Sequence, residues 1–292
     1  MAIDVTEIPY HGNPHREARE ICRRKPRAGT SHFHCYATAY VVERGERFTL
    51  ALTYVWADDS KRAIVQRLLR QVRRQRLKVR YLLLDRGFYT VDVVRYLQAA
   101  RCPFLMPVIH CGGRASSPNQ SRSTNRFLVC KRSRWAEHTM SNKQSAATVQ
   151  IAVACDDWNG RRGRQGPRVL VFAFWGFRPS SPAWVREEYR KRFGIETSYR
   201  QMNQARIRTC TAQPRMRLLM IGLALLLRNL WVWIHLTCLA RITPTGRIRL
   251  ELAALRFRHL FRTLEIAASR LFEEPSPIPQ HPDPIPQLAR NP

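Results

Sequence analysis

A short apolar run that ends abruptly in charge and glycine is the strongest constraint on the fold of this chain. Tyr81-Leu82-Leu83-Leu84 is followed at once by Asp85-Arg86-Gly87. Large apolar residues without polar alternation are typical of a strand buried on both faces, which requires helices above and below a sheet. The run therefore predicts a strand with Asp85 at its carboxyl end, where α/β sheets collect ligand and metal sites. The alternative is a plain strand-to-turn transition with an exposed acid.

The order of the elements around this strand indicates the fold class. Strands are predicted near residues 1–8, 32–43, 46–56 and 103–108, and helices at 59–77 and near 90–100. Strands followed by alternating helices and strands predict a mixed α/β sheet with flanking helices. Asp58 and Asp59 precede the first helix and are interpreted as its N-cap and first turn rather than as catalytic acids.

The segment 188–196, with the sequence EYRKRFGIE, sets a carboxylate among cationic and aromatic side chains. A helix advances about 100° per residue, so a stripe roughly 80° wide would carry several polar side chains. They are Tyr189, Arg192, Glu196, Arg200 and Asn203. The alternative is a solvated basic helix in which Glu196 pairs with Arg192 or Arg200 at i,i+4 spacing.

A third acid lies in the first predicted strand. In the segment 2–8, AIDVTEI, Asp4 and Thr6 alternate with apolar residues and would form one face of that strand. Because the segment is close to a terminus, the alternative is that Asp4 is a disordered surface acid.

The 188–196 segment resembles the signature of DDE transposases of bacterial insertion sequences, of the IS-four type. The family pattern is Tyr, two residues, Arg, three residues, Glu, six residues, Lys. Tyr189, Arg192 and Glu196 match it in spacing, and Asn203 stands where the family has Lys. The resemblance implies DNA contacts by Tyr189, Arg192, Arg200 and Asn203, with Arg200 or Arg206 substituting for the lysine. Tyr189 and Arg192 would contact phosphate near the site, since a guanidinium binds phosphate in a bidentate manner.

The other two acids resemble the aspartate motifs of the same family. The segment 85–89, DRGFY, is similar to its second-aspartate motif, and the Asp-x-Thr at Asp4 is similar to its first. The resemblance covers about residues 1–240 and implies a ribonuclease H-like core. In chain order, Asp4, Asp85 and Glu196 would then be the catalytic triad.

Three carboxylates suit the reaction that this resemblance implies. Two divalent ions about 3.5–4 Å apart activate the nucleophile, stabilise the leaving oxygen and neutralise the phosphoryl charge. Mg²⁺ and Mn²⁺ prefer carboxylate oxygens, whereas histidines and thiolates select softer metals. By resemblance, Asp4 would bridge the two Mg²⁺ or Mn²⁺ ions, and Asp85 and Glu196 would each hold one.

The charge of the chain indicates its class of partner. A net charge of +29, from 50 basic and 21 acidic residues, favours polyanions. The predicted partner is double-stranded DNA, as transposon ends and target. Between residues 61 and 80 there are nine Lys or Arg and no acid, and a second cluster covers 16–27. Both clusters are predicted to follow a DNA backbone, the alternative being a solvated face.

Metal, membrane and export signals of other kinds are weak. No two cysteines form a Cys-x-x-Cys pair, so zinc is disfavoured, and His32, His34 and Cys35 are predicted to lie on a strand. The start has neither a basic region nor an apolar run, which predicts a cytoplasmic chain, nucleoid-associated when bound to DNA. The apolar segment 216–240 contains Arg228, Asn229 and His235, so it is interpreted as a buried helix without a membrane partner.

The composition and the resemblance together divide the chain. The predicted parts are a ribonuclease H-like core over residues 1–109, a β-rich insertion over 110–183 with strands at 147–155 and 168–176, the glutamate helix and buried helix over 184–240, a C-terminal amphipathic helix over 241–273, starting near 247, and a Pro-rich tail over 274–292. The tail holds six prolines between residues 275 and 286, which exclude regular structure there.

The resulting prediction is a DNA transposase that catalyses metal-dependent strand cleavage and strand transfer. Few residues precede Asp4, so the chain is also hypothesised to be N-terminally truncated. The alternative is a catalytically silent DNA-binding transposase remnant. A basic structural nucleic-acid protein would leave the three acid motifs unexplained. Catalysis on paired ends would favour a homodimer, by resemblance only.

Overall fold

The computed structural model of the chain describes residues 1–13, 19–43, 47–113, 123–129, 131–159, 165–211, 213–242, 248–249 and 253–272. Within these residues the strands are β1 (Ala2–Pro9), β2 (Cys22–Arg27), β3 (Thr30–Tyr40), β4 (Thr49–Val55), β5 (Leu82–Leu84), β6 (Phe104–Pro107), β7 (Arg134–Ser141), β8 (Ala146–Asn159), β9 (Gln165–Trp175), β10 (Arg241–Ile242) and β11 (Ile248–Arg249). The helices are α1 (Lys61–Arg74), α2 (Val91–Ala99), α3 (Arg126–Val129), α4 (Pro182–Arg190), α5 (Gly194–Ala205), α6 (Pro214–Thr237) and α7 (Phe257–Phe272).

One mixed sheet organises the described residues. Its strand order is β2-β3-β1-β5-β6-β9-β8-β7, and β4 also pairs with β3. The β1–β5 and β5–β6 pairs are parallel, whereas the other pairs are antiparallel. The predicted mixed α/β sheet with flanking helices is therefore confirmed. The strands predicted at 147–155 and 168–176 lie within β8 and β9, which extend the same sheet through β6.

Alternation along β1 assigns its residues to two faces of the sheet. Ile3 packs in a core cluster with residues of α1 and α2, whereas Ala2 packs in a cluster with residues of α4 and α5. Since side chains alternate along a strand, Asp4 lies on the same face as Ala2. The helices that carry the predicted glutamate segment therefore cover the face of β1 that carries Asp4.

The start of α1 differs from the prediction. Ser60 is the N-cap, and its hydroxyl accepts a hydrogen bond from the Ala63 amide at 3.1 Å. Asp59 instead accepts from the Trp56 amide at 2.8 Å and forms an ion pair with Arg67 at 2.5 Å. The interpretation of Asp58 and Asp59 as N-cap and first turn is thus wrong. The Asp59 carboxylate binds Arg67 and the Trp56 amide instead of the amides at the start of α1.

The last two helices also correct the sequence interpretation. Residues 214–237 form α6 as predicted, but only one face of this helix is buried. The predicted helix from 247 to 273 starts only at Phe257, and the short β10–β11 pair precedes it. Phe257 and Leu260 are buried while Leu271 is 78 % exposed, so α7 packs on the core through its first turns alone. Residues 274–292, the predicted tail, lie outside the described residues.

The predicted strand around His34 is confirmed, and it places this imidazole in the core. His34 lies on β3 and is fully buried, with its Nδ1 2.5 Å from the Tyr54 hydroxyl. Tyr54 in turn donates to the Glu20 carbonyl at 3.0 Å. Burial, with a smaller contribution from the charge of Arg217, lowers the pKa of His34 to about 4. The ring is therefore neutral in the folded protein at neutral pH.

This lowered pKa predicts a loss of stability in mild acid. Between the unfolded pKa of about 6.5 and the folded pKa of about 4, only the unfolded chain gains the proton, so the free energy of unfolding falls as pH falls. We expect the His34 contribution to reach about 2–3 kcal/mol at the acid end, measured by urea unfolding. His34→Gln should lose this part of the pH dependence, and His259→Gln, at an exposed imidazole on α7, should keep it. Equal slopes in wild type and His34→Gln would contradict the assignment.

Candidate active site

Two of the three predicted acids meet because of the strand register. β1 and β5 are parallel neighbours with Ile3 opposite Leu84, so the next residues, Asp4 within β1 and Asp85 just past the end of β5, lie side by side. Parallel strands lie about 4.8 Å apart. Asp85 follows the last residue of β5 and begins a 3-10 turn over Arg86–Phe88. The strand end predicted from the apolar run therefore has a second carboxylate beside it.

Arg192 joins these two carboxylates. Its Nη1 donates to Asp4 Oδ2 at 3.0 Å, and its Nη2 lies 3.4 Å from Asp85 Oδ1. The Arg192 side chain is 7 % exposed, Asp4 is 18 % exposed and Asp85 is 45 % exposed. A single buried guanidinium thus balances two acids that come from positions 4 and 85 of the chain.

The segment that carries Arg192 is held by Tyr189. The Tyr189 hydroxyl donates to the Leu84 carbonyl at 3.2 Å, one residue before Asp85, and the Arg192 guanidinium lies 5.6 Å from the Tyr189 ring centroid. Tyr189 and Arg192 are both buried. Their predicted contacts with phosphate stay a prediction, and in this structure both side chains bind groups of the protein itself.

The predicted polar stripe along this segment is therefore divided. α4 ends at Arg190, a 3-10 turn follows over Lys191–Phe193, and α5 begins at Gly194. Each 3-10 residue advances about 120° instead of about 100°, so three of them rotate the faces of the two helices by about 60°. Tyr189 and Arg192 consequently face the sheet, whereas Glu196, Arg200 and Asn203 are exposed on α5.

Asp4 is an electrostatically unsatisfied acid despite its ion pair. Burial raises the pKa of Asp4, and although the Arg192 charge and the Val5 amide oppose this rise, the Asp85 charge adds to it. A carboxylate in this position is incompletely neutralised by the protein. The two adjacent aspartates are hard oxygen donors, and a single guanidinium offsets only one of their two negative charges, so this donor pair fits Mg²⁺ or Mn²⁺.

A tyrosine that the sequence reasoning missed ties α5 to β1. The Tyr199 hydroxyl donates to the backbone carbonyl of Asp4 at 3.1 Å and lies 2.7 Å from the Thr38 hydroxyl. Thr38 stands opposite Asp4 in the β1–β3 register. Tyr199 follows Glu196 by three residues, a helical spacing that marks it as a neighbour of the glutamate face. No sequence signal identifies Thr38, because its role depends on strand pairing.

Glu196, the remaining predicted acid, lies in the chain between two residues that contact Asp4 but does not join the aspartate pair. It is exposed in the first turn of α5, between Arg192 and Tyr199, which both contact Asp4. Among the described residues, no three His, Cys, Asp or Glu side chains are grouped closely enough to hold a metal ion. In the same part of the chain no ion pair joins Glu196 to Arg192 or Arg200, so that alternative interpretation is wrong. The structure brings Asp4 and Asp85 together and leaves Glu196 outside the pair.

The predicted basic surface of α1 lies on the other side of the sheet. Ile64, Val65, Leu68, Leu69 and Val72 are buried, whereas Arg62, Arg70, Arg73 and Arg74 are exposed. A cavity of about 480 Å³ beside α1 is lined by Gln66, Arg70, Arg73, Arg74 and Tyr96. Within the described residues these arginines form no ion pair. Since α1 packs in the same cluster as Ile3, this surface faces away from Asp4.

Comparisons with known proteins identify the family of the chain and a solved structure with a similar fold. Residues 1–230 match the protein family described as Transposase DDE domain. No curated protein matches the sequence. The solved structures that match include a piggyBac transposase synaptic complex with hairpin DNA, with a TM-score of 0.52 and 12 % identity, over 94 % of this chain and 54 % of that chain. This chain therefore spans about half the length of that protein, and at this identity the likeness shows the fold alone.

Proposed function

Because the chain belongs to the Transposase DDE domain family, we propose that it is an insertion-sequence transposase of the IS-four type that cleaves DNA strands and transfers them. The observation that carries this proposal is the pairing of Asp4 and Asp85 at adjacent parallel strands beneath Arg192. Two acids placed side by side by strand register are a preformed half of a metal site. The spacing of Tyr189, Arg192 and Glu196 in the chain supports the IS-four type.

The metal ligands of the proposed site are Asp4, Asp85 and Glu196, and the ions are two Mg²⁺ or Mn²⁺. When bound, such ions supply charge neutralisation at phosphate and activation of water or a 3′-hydroxyl. Both aspartates would hold ions through their carboxylate oxygens, and Asp4 is the more buried of the two, at 18 % exposed against 45 % for Asp85. Glu196 completes the site by turning towards the aspartates from the first turn of α5.

The proposed DNA contacts follow from exposure along the glutamate segment. Arg200 and Asn203 are exposed on the same helix as Glu196, so both side chains are accessible to a DNA strand bound at the proposed site. Arg200 supplies the positive charge that Asn203 lacks. Arg206 is a weaker substitute, since its side chain is partly buried whereas that of Arg200 is exposed. Arg192, which borders the two aspartates, is also proposed to contact phosphate near the site.

A second surface would contact DNA away from the cleavage site. The exposed arginines of α1 neutralise phosphates without reading sequence. The Arg70→Gln/Arg74→Gln double variant is expected to weaken binding to duplex DNA and to reduce the salt dependence of log K by about 2, since each lost phosphate contact lowers the slope by about 0.9. Fluorescence anisotropy at several salt concentrations measures both quantities.

The control for this prediction removes the same charge elsewhere. Arg262 and Arg270 are exposed on α7, so Arg262→Gln/Arg270→Gln lowers the net charge equally. An equal loss of affinity and slope in both double variants would show a global charge effect and would contradict a local contact by α1.

One further candidate function has specific support. A catalytically silent DNA-binding remnant would retain the basic surfaces and lose turnover. Glu196 stands apart from the aspartate pair, and Asn203 replaces the lysine of the family pattern, which are the two observations that favour it. Either protein would act on duplex DNA in the cytoplasm, associated with the nucleoid, and the transposase would work as a homodimer on paired ends.

Metal-dependent nicking of supercoiled plasmid by the purified chain separates the two functions. The transposase should nick in Mn²⁺ or Mg²⁺ and stop when EDTA is added, because its carboxylates act only through bound ions. A chain that binds plasmid yet leaves it supercoiled at every metal concentration would be the remnant.

A further inference from the structure

One face of α6 is exposed and almost entirely apolar. Its exposed large side chains are between 38 % and 64 % accessible. They are Met216, Leu219, Leu223, Leu226, Leu230 and Trp233. In α6 the remaining residues of the exposed class are Arg215 near the start and Thr237 at the end. We call the six apolar residues the α6 seam.

The spacing within the α6 seam indicates the kind of element that fits it. Successive seam residues are separated by 3, 4, 3, 4 and 3 positions. This is the a and d alternation by which two α-helices pack side by side as a coiled coil. The opposite face of α6, with Ile221, Ala224 and Leu225, is buried in the core. The helix is therefore held in place with its seam outward, a poor arrangement for spanning a membrane.

The order of the spacings favours a second copy of the same helix. The series 3, 4, 3, 4, 3 is the same from either end of the helix. Each seam residue of one copy can therefore lie opposite a seam residue of an antiparallel copy. In such a pair Leu223 meets the partner's Leu226, and Leu219 meets the partner's Leu230. A two-fold interface requires such self-complementarity.

Charge favours the antiparallel direction. Arg215 and Arg217 lie in the first turn of α6, at the positive end of the helix dipole. A parallel pair would bring these arginines against their own copies. An antiparallel pair instead places them near the partner's helix C-terminus, where positive charge is stabilising.

The area of the seam is close to what a dimer needs. The six side chains at these exposures present roughly 500 Å² of accessible apolar surface. This area is near the upper end of the range found for the largest apolar patch of a typical monomer. Two such faces bury on the order of 1,000 Å² together, the lower bound for a specific interface. The net charge of +29 opposes association of two copies, so screening by salt should strengthen the pair.

We propose that the α6 seam is a dimerisation surface that pairs with the α6 seam of a second copy of this chain, antiparallel and about a two-fold axis. The proposal does not depend on catalysis, since its readout is molar mass. It gives the chain a contact between copies that lies on α6 rather than in the DNA site.

Light scattering after size exclusion tests the proposal with the full chain. Over about two orders of magnitude in protein concentration, the molar mass of the wild-type chain should rise from 34.1 kDa towards twice that value. This rise should occur at a lower protein concentration in high salt than in low salt. Leu226→Glu should stay at 34.1 kDa with unchanged circular dichroism, because Leu226 is 64 % exposed and supports no core packing. Leu77→Glu makes the same change at a leucine after α1 that is 44 % exposed, and this variant should dimerise like wild type.

Cysteine cross-linking tests the direction. Leu219→Cys mixed with Leu230→Cys should form a disulfide-linked pair above the wild-type background, since disulfides need Cα atoms about 5.5–6 Å apart. Each variant alone should give only that background, and the reverse pattern would overturn the antiparallel arrangement.

Three results would overturn the dimerisation surface itself. They are a wild-type chain that stays at 34.1 kDa throughout, a Leu226→Glu variant that still dimerises, and a monomer that dimerises only when residues 273–292 are removed. The last result would show that the tail covers the seam. Flotation of a monomeric chain with lipid vesicles would overturn it equally, in favour of a membrane surface.

Discussion

Replacement of Glu196 by Gln is expected to lower the rate of Mn²⁺-dependent plasmid nicking by more than about 100-fold. Even a hydrogen-bond partner of a metal ligand costs about 10- to 100-fold in affinity or activity when it is changed, and Glu196 is proposed as a ligand itself. Gln keeps the size of the side chain and removes only its charge. Because Glu196 is exposed and has no ion pair among the described residues, the variant should fold as stably as wild type.

The matched control for Glu196 is another exposed glutamate of the same segment. Glu187→Gln on α4 removes a carboxylate whose one ion pair within the described part of the chain is with Arg190, at 3.1 Å on the surface. This variant should nick at the wild-type rate. Wild-type activity in Glu196→Gln would show that Glu196 is not a ligand, and it would point to a two-aspartate site or to a contaminating nuclease. Asp85→Asn distinguishes these two explanations, since only the contaminant would survive it.

Replacement of Arg192 by Gln is expected to destabilise the metal-free protein by about 3 kcal/mol, measured by urea unfolding at neutral pH. Removing one partner of a buried ion pair leaves an uncompensated charge, which costs about 3–5 kcal/mol. The lower value applies because Asp85 is 45 % exposed and partly solvated, whereas Asp4 is mostly buried. The pKa of Asp4 should rise further without the guanidinium, so the penalty should shrink as pH falls and Asp4 becomes protonated.

The same variant should respond more strongly to metal than wild type does. Without Arg192, a divalent ion reaches the two aspartates with no guanidinium to displace, so Mn²⁺ should stabilise Arg192→Gln by more than it stabilises wild type. Arg190→Gln is the control, because its exposed pair with Glu187 contributes only about 0–1 kcal/mol. If Arg192→Gln were as mild as Arg190→Gln, the bridge between the two aspartates would have no energetic role.

Local patterns predicted the parts of this site that depend on local structure. The apolar run before Asp85 and the alternation around Asp4 identified two strands, and both are present. The adjacency of the two acids could not be read from either pattern, because it depends on the parallel register of Ile3 with Leu84. The contact of Arg192 with Asp4 joins residues 188 positions apart, so helical spacing alone predicted a different partner.

The errors have a common physical source. The helical period predicted one uniform helix over residues 189–203. In the structure a 3-10 turn at Lys191–Phe193 separates α4 from α5 and rotates the face of one helix relative to that of the other. The capping prediction at Asp59 failed because an arginine two turns later in α1 competes for the carboxylate. Hydropathy identified α6 but could not show that one of its apolar faces is exposed, since exposure is set by the packing of other elements.

The hydrogen bonds of the Tyr199 hydroxyl limit how Glu196, the proposed third ligand, can approach the aspartates. The Tyr199 hydroxyl bonds the backbone carbonyl of Asp4 and the hydroxyl of Thr38 on the neighbouring strand, which restrains displacement of α5 relative to the sheet. The backbone of Glu196 is therefore held at a fixed position relative to Asp4, so we do not expect the helix to shift in order to bring the two carboxylates together. Its carboxylate can change position through rotation about its own χ angles, steps between staggered wells that take picoseconds to nanoseconds in exposed side chains. Closure of the proposed metal site would then require only rotation of the Glu196 side chain.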